Sequence, residues 1–175
     1  PQAGNFGAAE ASDAAKRAYQ FRDRLPAVER GLTEAYYHNI VTGDQEKTEA
    51  AYRAVLAVNP DEPTSLNNLG LMLTAQGKAA EAEPLLRRLV RTTPMQSGLL
   101  NLFTALDAQG KTAAADSVLA EFRRQYPEST RPDEMLRFRH YMRRDFRAAD
   151  SLLRDPAFSA PATPGEQLRL QFELV

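Results

Sequence analysis

The chain has 175 residues, of which 43% are hydrophobic and 26% charged, and its net charge is −1. This composition is typical of a soluble domain or a repeat array, and the near-zero charge gives no overall field that favours nucleic acid. The absence of cysteine excludes a disulfide framework, Cys-ligated zinc, iron–sulfur clusters and thiol nucleophiles. No apolar run approaches the roughly 18 residues of a membrane-spanning helix, so we expect no membrane insertion.

Segments of helical length and period follow one another along the chain. In residues 63–76, for example, Leu66, Leu69 and Leu73 recur at intervals of three and four, which places them on one face of a helix. No segment predicts a strand with any clarity, and the Pro/Ala/Ser-rich stretch 155–164 predicts a loop. Helices are predicted near 8–24, 28–42, 45–58, 63–76, 79–92, 96–109, 112–125, 132–143, 146–154 and 165–174.

The residues that end these helices recur at regular intervals. Prolines recur at spacings of 34, 34, 33 and 34 residues, at Pro26, Pro60, Pro94, Pro127 and Pro161. A glycine precedes three of them by 17 residues, at Gly43, Gly77 and Gly110, and a small residue precedes each by twelve, at Ala14, Thr48, Ala82, Ala115 and Ala149. Glycine permits the left-handed backbone that closes a first helix, and proline stops a second. Each unit is therefore predicted to be helix, glycine turn, helix, proline turn.

These markers resemble those of the tetratricopeptide repeat (TPR) family. The best match is residues 63–96, with Leu66, Leu69, Gly70, Leu73, Gly77, Ala82, Leu86, Leu89 and Pro94 in phase with the family pattern. Residues 130–163 fit less well, because Arg137 replaces the glycine and His140 the aromatic residue of the first helix. The resemblance implies an all-α, right-handed solenoid of stacked antiparallel helix pairs, with about four full repeats and a half-repeat at each end.

The boundaries of the units follow from the same phase. The predicted organisation is a half-repeat helix 1–28, repeats 29–62, 63–95 and 96–129, a degenerate repeat 130–163 and the first helix of a truncated fifth repeat, 164–175. Since the array is entered and left within a repeat, we expect the chain to be a segment of a longer protein. Arginine far outnumbers lysine and alanine is abundant, a bias that hints at a GC-rich bacterial source.

A narrower resemblance concerns residues 22–73. Leu-Pro, Glu-Arg, Tyr-Tyr, Thr-Gly-Asp and Asn-Asn-Leu-Gly follow one another there as in TPR regions of bacterial serine/threonine kinases and membrane-linked regulators. Nothing in the chain matches a kinase Gly-rich loop or a His-Arg-Asp segment. The resemblance implies a non-catalytic part of a signalling protein, located in the cytoplasm or in the soluble extracytoplasmic part of a membrane-anchored protein.

The TPR resemblance also implies where a partner binds, since the first helices of the family line the concave face. Carried over by position, the partner-binding residues are Arg30, Thr33, Tyr37, Asn67, Asn68, Leu71, Asn101, Thr104, Phe138 and Tyr141. Asn68 and Asn101 occupy the same place in consecutive repeats and offer both donors and acceptors. They can contact the backbone of an extended peptide or bond neighbouring helices, and the sequence leaves both open. A carboxylate clamp of the family carries Lys or Arg beside Asn across three first helices. Those places here hold Thr33, Tyr37, Ser97 and Asn101, and only Asn68 agrees, so no such clamp is predicted.

Catalysis and metal binding are not predicted. His38 and His140 lack a second ligand at helical spacing, and no Ser–His–acid arrangement is visible. Residues 131–147 contain six arginines and three acidic residues. This excess of positive charge is typical either of solvated helix faces or of an anion-binding surface. We therefore expect no enzyme and no cofactor.

The predicted function is a protein-interaction scaffold for a protein or peptide partner. Two alternatives stay open: a regulatory array that packs on its own attached kinase or DNA-binding domain, and an oligomerisation module that self-associates through its truncated ends. The small residues Gly70, Ala82, Ala115 and Ala149 are expected to allow close helix packing.

Overall fold

The computed structural model describes the backbone of residues 3–153, and over this range the chain is all-α, as predicted. The helices of this part are α1 Ala3–Gln20, α2 Ala27–Tyr37, α3 Gln45–Val58, α4 Pro63–Ala75, α5 Ala79–Thr92, α6 Gln96–Ala108, α7 Thr112–Gln125, α8 Arg131–Met142 and α9 Phe146–Leu153. They agree with the predicted helices to within about five residues at each end. The predicted loop 155–164, the predicted helix 165–174, Pro161 and the predicted fifth repeat lie outside the described residues.

The chain divides into two compact units, residues 1–118 and 119–175. In the first unit, α2 packs on α3 and α4 on α5, and each pair is joined by a tight turn. Contacts of α3 with α4, and of α5 with α6, join one pair to the next. In the second unit α8 packs on α9. One helix pair cannot bury its own apolar face, so this pairwise stacking is what provides a core.

Side chains at the starts of two helices satisfy backbone N–H groups that have no partner within the helix. The Asp44 carboxylate accepts from the Lys47 N–H at 3.0 Å, at the start of α3. At the start of α4, the nearly buried Glu62 accepts from the N–H groups of Thr64 and Ser65. Burial raises the pKa of Glu62, but these hydrogen bonds outweigh it and hold that pKa below its usual value. The role of Glu62 could not be anticipated from the sequence, because glutamate is an uncommon cap.

The glycine turns close the first helices through a left-handed residue. Gly43, Gly77 and Gly110 have φ of 66°, 78° and 71°. After Gly77, the Lys78 N–H donates to the Leu73 carbonyl at 2.8 Å, which ties the turn to the helix it ends. In the fourth repeat the same place is taken by Arg144, with φ of 61°. A side chain in this conformation is strained, so the turn of the fourth repeat is held against a local cost.

We expect Arg144→Gly to stabilise the protein by about 1 kcal/mol, because glycine adopts a positive φ without the clash of a Cβ. Urea unfolding of the second unit, followed by a probe placed there, measures the change. Arg143→Gly is the matched control, since Arg143 has φ of −83° and gains nothing from glycine. Equal effects of the two substitutions would contradict the strain at Arg144.

A series of buried residues recurs in the first half of the first helices. Gly31, Ser65, Gly98 and Pro132 stand at equivalent places in the four repeats, and all four are buried. A Cβ on Gly31 would lie 2.4 Å from Val55 Cγ2, and one on Gly70 would lie 2.5 Å from Leu86 Cδ2. Gly70 was predicted from the sequence as a site of close packing, whereas this series was not.

Among the other predicted repeat residues, three alanines of the second helices are buried: Ala82, Ala115 and Ala149. The loop residues Pro60, Pro94 and Pro127 are exposed and follow the ends of α3, α5 and α7.

The first helix does not repeat the packing of the later second helices. Ala14, Ala18 and Phe21 are in repeat phase with buried residues of α3, but all three are exposed, and Phe21 lies beyond the end of α1. Ala15 is buried instead, and Tyr19 stacks on Tyr37 of α2 with ring centroids 3.9 Å apart. A stacked pair of large rings sets how α1 packs on α2, and it overrides the register suggested by small residues.

Candidate functional site

Two open pockets adjoin one another on the first unit, and Tyr52 and Asn68 line both. The α1-side pocket, of about 300 Å³, is lined by Ala15, Ala18, Leu32, Thr33, Tyr36, Tyr52, Thr64 and Asn68. The π-turn pocket, of about 290 Å³, is lined by Asn39, Gln45, Tyr52, Asn68, Leu71, Met72 and Ala75. Helices α2, α3 and α4 therefore supply most of the site, and the Tyr52–Asn68 pair borders both halves.

A chain of hydrogen bonds connects this pair to the next repeat. Asn101 of α6 donates to Asn67 Oδ1, Asn67 donates to Asn68 Oδ1, and Asn68 donates to the Tyr52 hydroxyl, each at 3.0 Å. We call these four side chains the amide row. Burial raises the pKa of Tyr52 above its usual value, although the bond from Asn68 acts the other way, so the phenol stays protonated near neutral pH.

The π-turn pocket owes its shape to an irregular end of the first helix. Asn39 stands at the place that buried Leu73 and Leu106 occupy in the next two repeats. A buried asparagine without partners is costly, and here the helix widens into a π turn, His38–Thr42. Asn39 is exposed and lines the pocket, while the His38 ring packs edge-on against Tyr37.

No charged side chain lines either pocket. The strong ion pairs of the first unit lie on second helices and their turns instead. Glu83 of α5 accepts from Arg87 at 2.8 Å, from Gln109 at 3.0 Å and from Lys111 at 2.6 Å. The bonds from Lys111 and Arg87 outweigh burial and lower the pKa of Glu83 from 4.5 to about 2. This cluster joins α5 to the turn after α6.

We expect Glu83 to stabilise the fold in a pH-dependent way. Its pKa is lowered in the folded state, so its contribution is complete above pH 4.5 and is lost as the pH falls from 4.5 towards 2. The contribution is on the order of 1 kcal/mol, because Lys111 and Arg87 are half-exposed and water screens their charges. Urea unfolding at several pH values measures it: Glu83→Gln should flatten the acid dependence, and the exposed Glu81→Gln should not.

Three of the predicted partner-binding residues meet at the pockets: Thr33, Asn68 and Leu71. Asn67 and Asn101 belong to the amide row. Asn101 therefore bonds a neighbouring helix, which is one of the two roles the sequence left open, and Asn68 both bonds Tyr52 and borders the pockets.

The other five predicted residues belong neither to a pocket nor to the amide row. Arg30 is exposed, Tyr37 packs on Tyr19 and His38, and the Thr104 hydroxyl donates to the Leu100 carbonyl at 3.0 Å. Phe138 and Tyr141 belong to the second unit, where both are exposed and Tyr141 contacts Phe146 edge-on.

Several lining residues were not predicted from the sequence, chiefly Leu32, Tyr36, Asn39 and Tyr52. Tyr52 is only 5% exposed, because its ring packs between helices as a core residue does. Tyr36 lies four residues after Leu32, which places both on one face of α2. This interval could have indicated that the two side chains line one site. Nothing in the sequence marked the π turn that exposes Asn39.

Neither a metal-binding cluster nor a membrane-spanning helix occurs in the part of the chain that the structure describes. Within residues 3–153, no three His, Asp or Glu side chains come together as a metal site. No helix in that range is both long and apolar enough to cross a membrane.

Comparison with known proteins identifies the fold. A solved tetratricopeptide repeat protein from Parabacteroides merdae superposes with a TM-score of 0.72 at 15% identity, over 99% of this chain and 67% of that one. A structure described as MamA MSR-1 C2 superposes with a TM-score of 0.61 at 19% identity, over 99% of this chain and 92% of that one. No family model matches the sequence, and no curated protein sequence is significantly similar to it. The chain therefore has the fold of a tetratricopeptide repeat array.

Proposed function

We propose that the chain is a non-catalytic interaction scaffold that binds a partner protein through the two adjoining pockets. The observation that carries the proposal is the pair of pockets itself, bordered by Tyr36 and Leu71, which are 46% and 49% exposed. Concave sites with apolar walls and a few placed polar groups are the usual form of a binding site. Large exposed apolar side chains beside such a site add contact area for a partner.

The repeat fold supports the proposal in general terms. Stacked repeats offer a continuous surface that a long partner segment can follow, and the pockets here draw residues from helices of successive repeats. We also propose that the array is the interaction part of a bacterial signalling protein, as the sequence resemblance of residues 22–73 suggests.

A displayed library of short peptides, selected on the purified chain, tests the proposal. We expect binders whose affinity falls at least fivefold in Leu71→Ala, which removes an exposed apolar contact of the π-turn pocket. Val58→Ala is the matched control, because Val58 is 61% exposed on α3 and lines neither pocket. Recovery of no binder, or equal loss in both variants, would contradict the proposal.

A further inference from the structure

Tyr52 lines both pockets, and its hydroxyl ends the amide row. We propose that this hydroxyl donates a hydrogen bond to a main-chain carbonyl of an extended, uncharged partner segment, whose alternate side chains enter the two pockets. The segment carries an apolar side chain for the α1-side pocket and an amide or hydroxyl side chain for the π-turn pocket. This inference rests on the proposed function and names the class of partner.

The direction of the hydrogen bonds provides the first step. Along the amide row each side chain accepts from the one before it and donates to the next, so the row ends at the Tyr52 oxygen. A phenol has one proton to donate, and no acceptor for it occurs among the residues that the structure describes. Successive hydrogen bonds polarise one another in a protein interior, which makes the last donor of the row a strong one.

The arrangement of the pockets provides the second step. Because Tyr52 and Asn68 line both pockets, a segment that fills both must pass over this pair. In an extended chain, residues i and i+2 project to the same side about 6.6 Å apart, and the main chain between them carries free carbonyl groups. A side chain in each pocket therefore brings a carbonyl of the intervening main chain near the Tyr52 hydroxyl.

The chemistry of the walls provides the third step. The α1-side pocket offers the methyl groups of Ala15 and Ala18 and the side chain of Leu32, whereas the π-turn pocket offers the amides of Asn39 and Gln45. Neither has a charge to pair with a charged ligand side chain, and burying an unpaired charge is costly. The pockets therefore select against acidic and basic side chains at both positions.

The purified chain and the peptides selected from the displayed library provide the test. We expect the selected peptides to be depleted in Asp, Glu, Lys and Arg, and to bind Tyr52→Phe about tenfold more weakly than the unmodified chain. Ala18→Leu should weaken binding at least tenfold, because the larger side chain fills the α1-side pocket from an exposed position. Ala14→Leu is its control, since Ala14 is exposed on the same helix and lines neither pocket.

An ester scan of one selected peptide tests the carbonyl without altering the protein. An ester carbonyl is a weaker acceptor than an amide carbonyl, so one ester position, between the two inserted side chains, should lower affinity for the unmodified chain. The same ester should have no effect on Tyr52→Phe. The inference would be overturned if the selected peptides were rich in charge, if no ester position lowered affinity, or if Ala18→Leu had no effect. In each of these cases, binding that still depends on Leu71 would support the interaction scaffold. Failure to select any peptide would instead count against the scaffold.

Discussion

Replacing Leu86 by alanine is expected to lower the free energy of unfolding by roughly 2–5 kcal/mol, which is a large part of the stability of a domain this size. Leu86 of α5 is fully buried, and its methyl groups lie directly against the backbone of Gly70 in α4. Truncation removes these contacts and leaves a cavity that two rigid helices cannot close. Urea unfolding followed by circular dichroism measures the loss.

Leu71→Ala is the matched control for Leu86→Ala. The two leucines lie on helices of the same pair, but Leu71 is half-exposed, so its truncation should cost well under half as much. A loss for Leu86→Ala no larger than that for Leu71→Ala would mean that the α4–α5 contact is not a close-packed core. In that case a weaker binding of peptides by Leu71→Ala could result from a loss of stability and not from a lost contact.

Gly70→Ala is expected to cost about 1–3 kcal/mol through overpacking. The added methyl group would lie 2.5 Å from Leu86 Cδ2 and 2.6 Å from Leu86 Cγ, so either the side chain or the helix must move. Gly77→Ala is an instructive comparison, because its methyl group meets nothing within 4 Å and its cost arises from the backbone alone, at φ of 78°. Urea unfolding of each variant measures these costs.

The double variant Gly70→Ala/Leu86→Ala identifies the cause of the first loss. The cavity left by Leu86 can accept the new methyl group, so the double variant should be more stable than the sum of the single losses predicts, by about 0.5–3 kcal/mol. Simple additivity would show that Gly70 is needed for some reason other than the approach of Leu86. Combining Gly77→Ala with Leu86→Ala should, by contrast, be additive.

Much of the fold could be predicted from spacing because two residue types have strong local effects. Glycine at the left-handed position and proline after a helix act through the backbone itself, so their period of 33 or 34 residues locates the helix ends directly. Arg144 shows the limit of that signal: the turn persists where its glycine is absent, because the neighbouring helices hold the chain in place. The residues that α1 buries could not be predicted from the repeat phase for a similar reason, since the stacking of Tyr19 on Tyr37 is a tertiary contact.

The candidate site was less predictable, because its features depend on more than one helix. Asn68 could be anticipated from its place in a first helix. Its partner Tyr52 stands at a place typical of a packing residue, yet it also accepts a hydrogen bond from Asn68 and lines the pocket. The π turn arises from a conflict between the repeat phase and the polar side chain of Asn39, and sequence patterns do not show how such a conflict is resolved. Glu83 likewise gains its partners from residues 26 and 28 positions further along the chain.

The bond from Asn101 to Asn67 joins two different places of the repeat, because Asn101 stands in the place of Asn68, and Leu100 stands in the place of Asn67. A duplicated copy of residues 63–95, which carries both amides, would therefore add two more side chains to the row. A copy of residues 96–129 would not, because Leu100 has no amide to accept the next bond. In the fourth repeat the place of Asn101 is taken by Met135, which has no amide to contribute. Gene duplication can thus lengthen the row only where it copies the adjacent pair of asparagines.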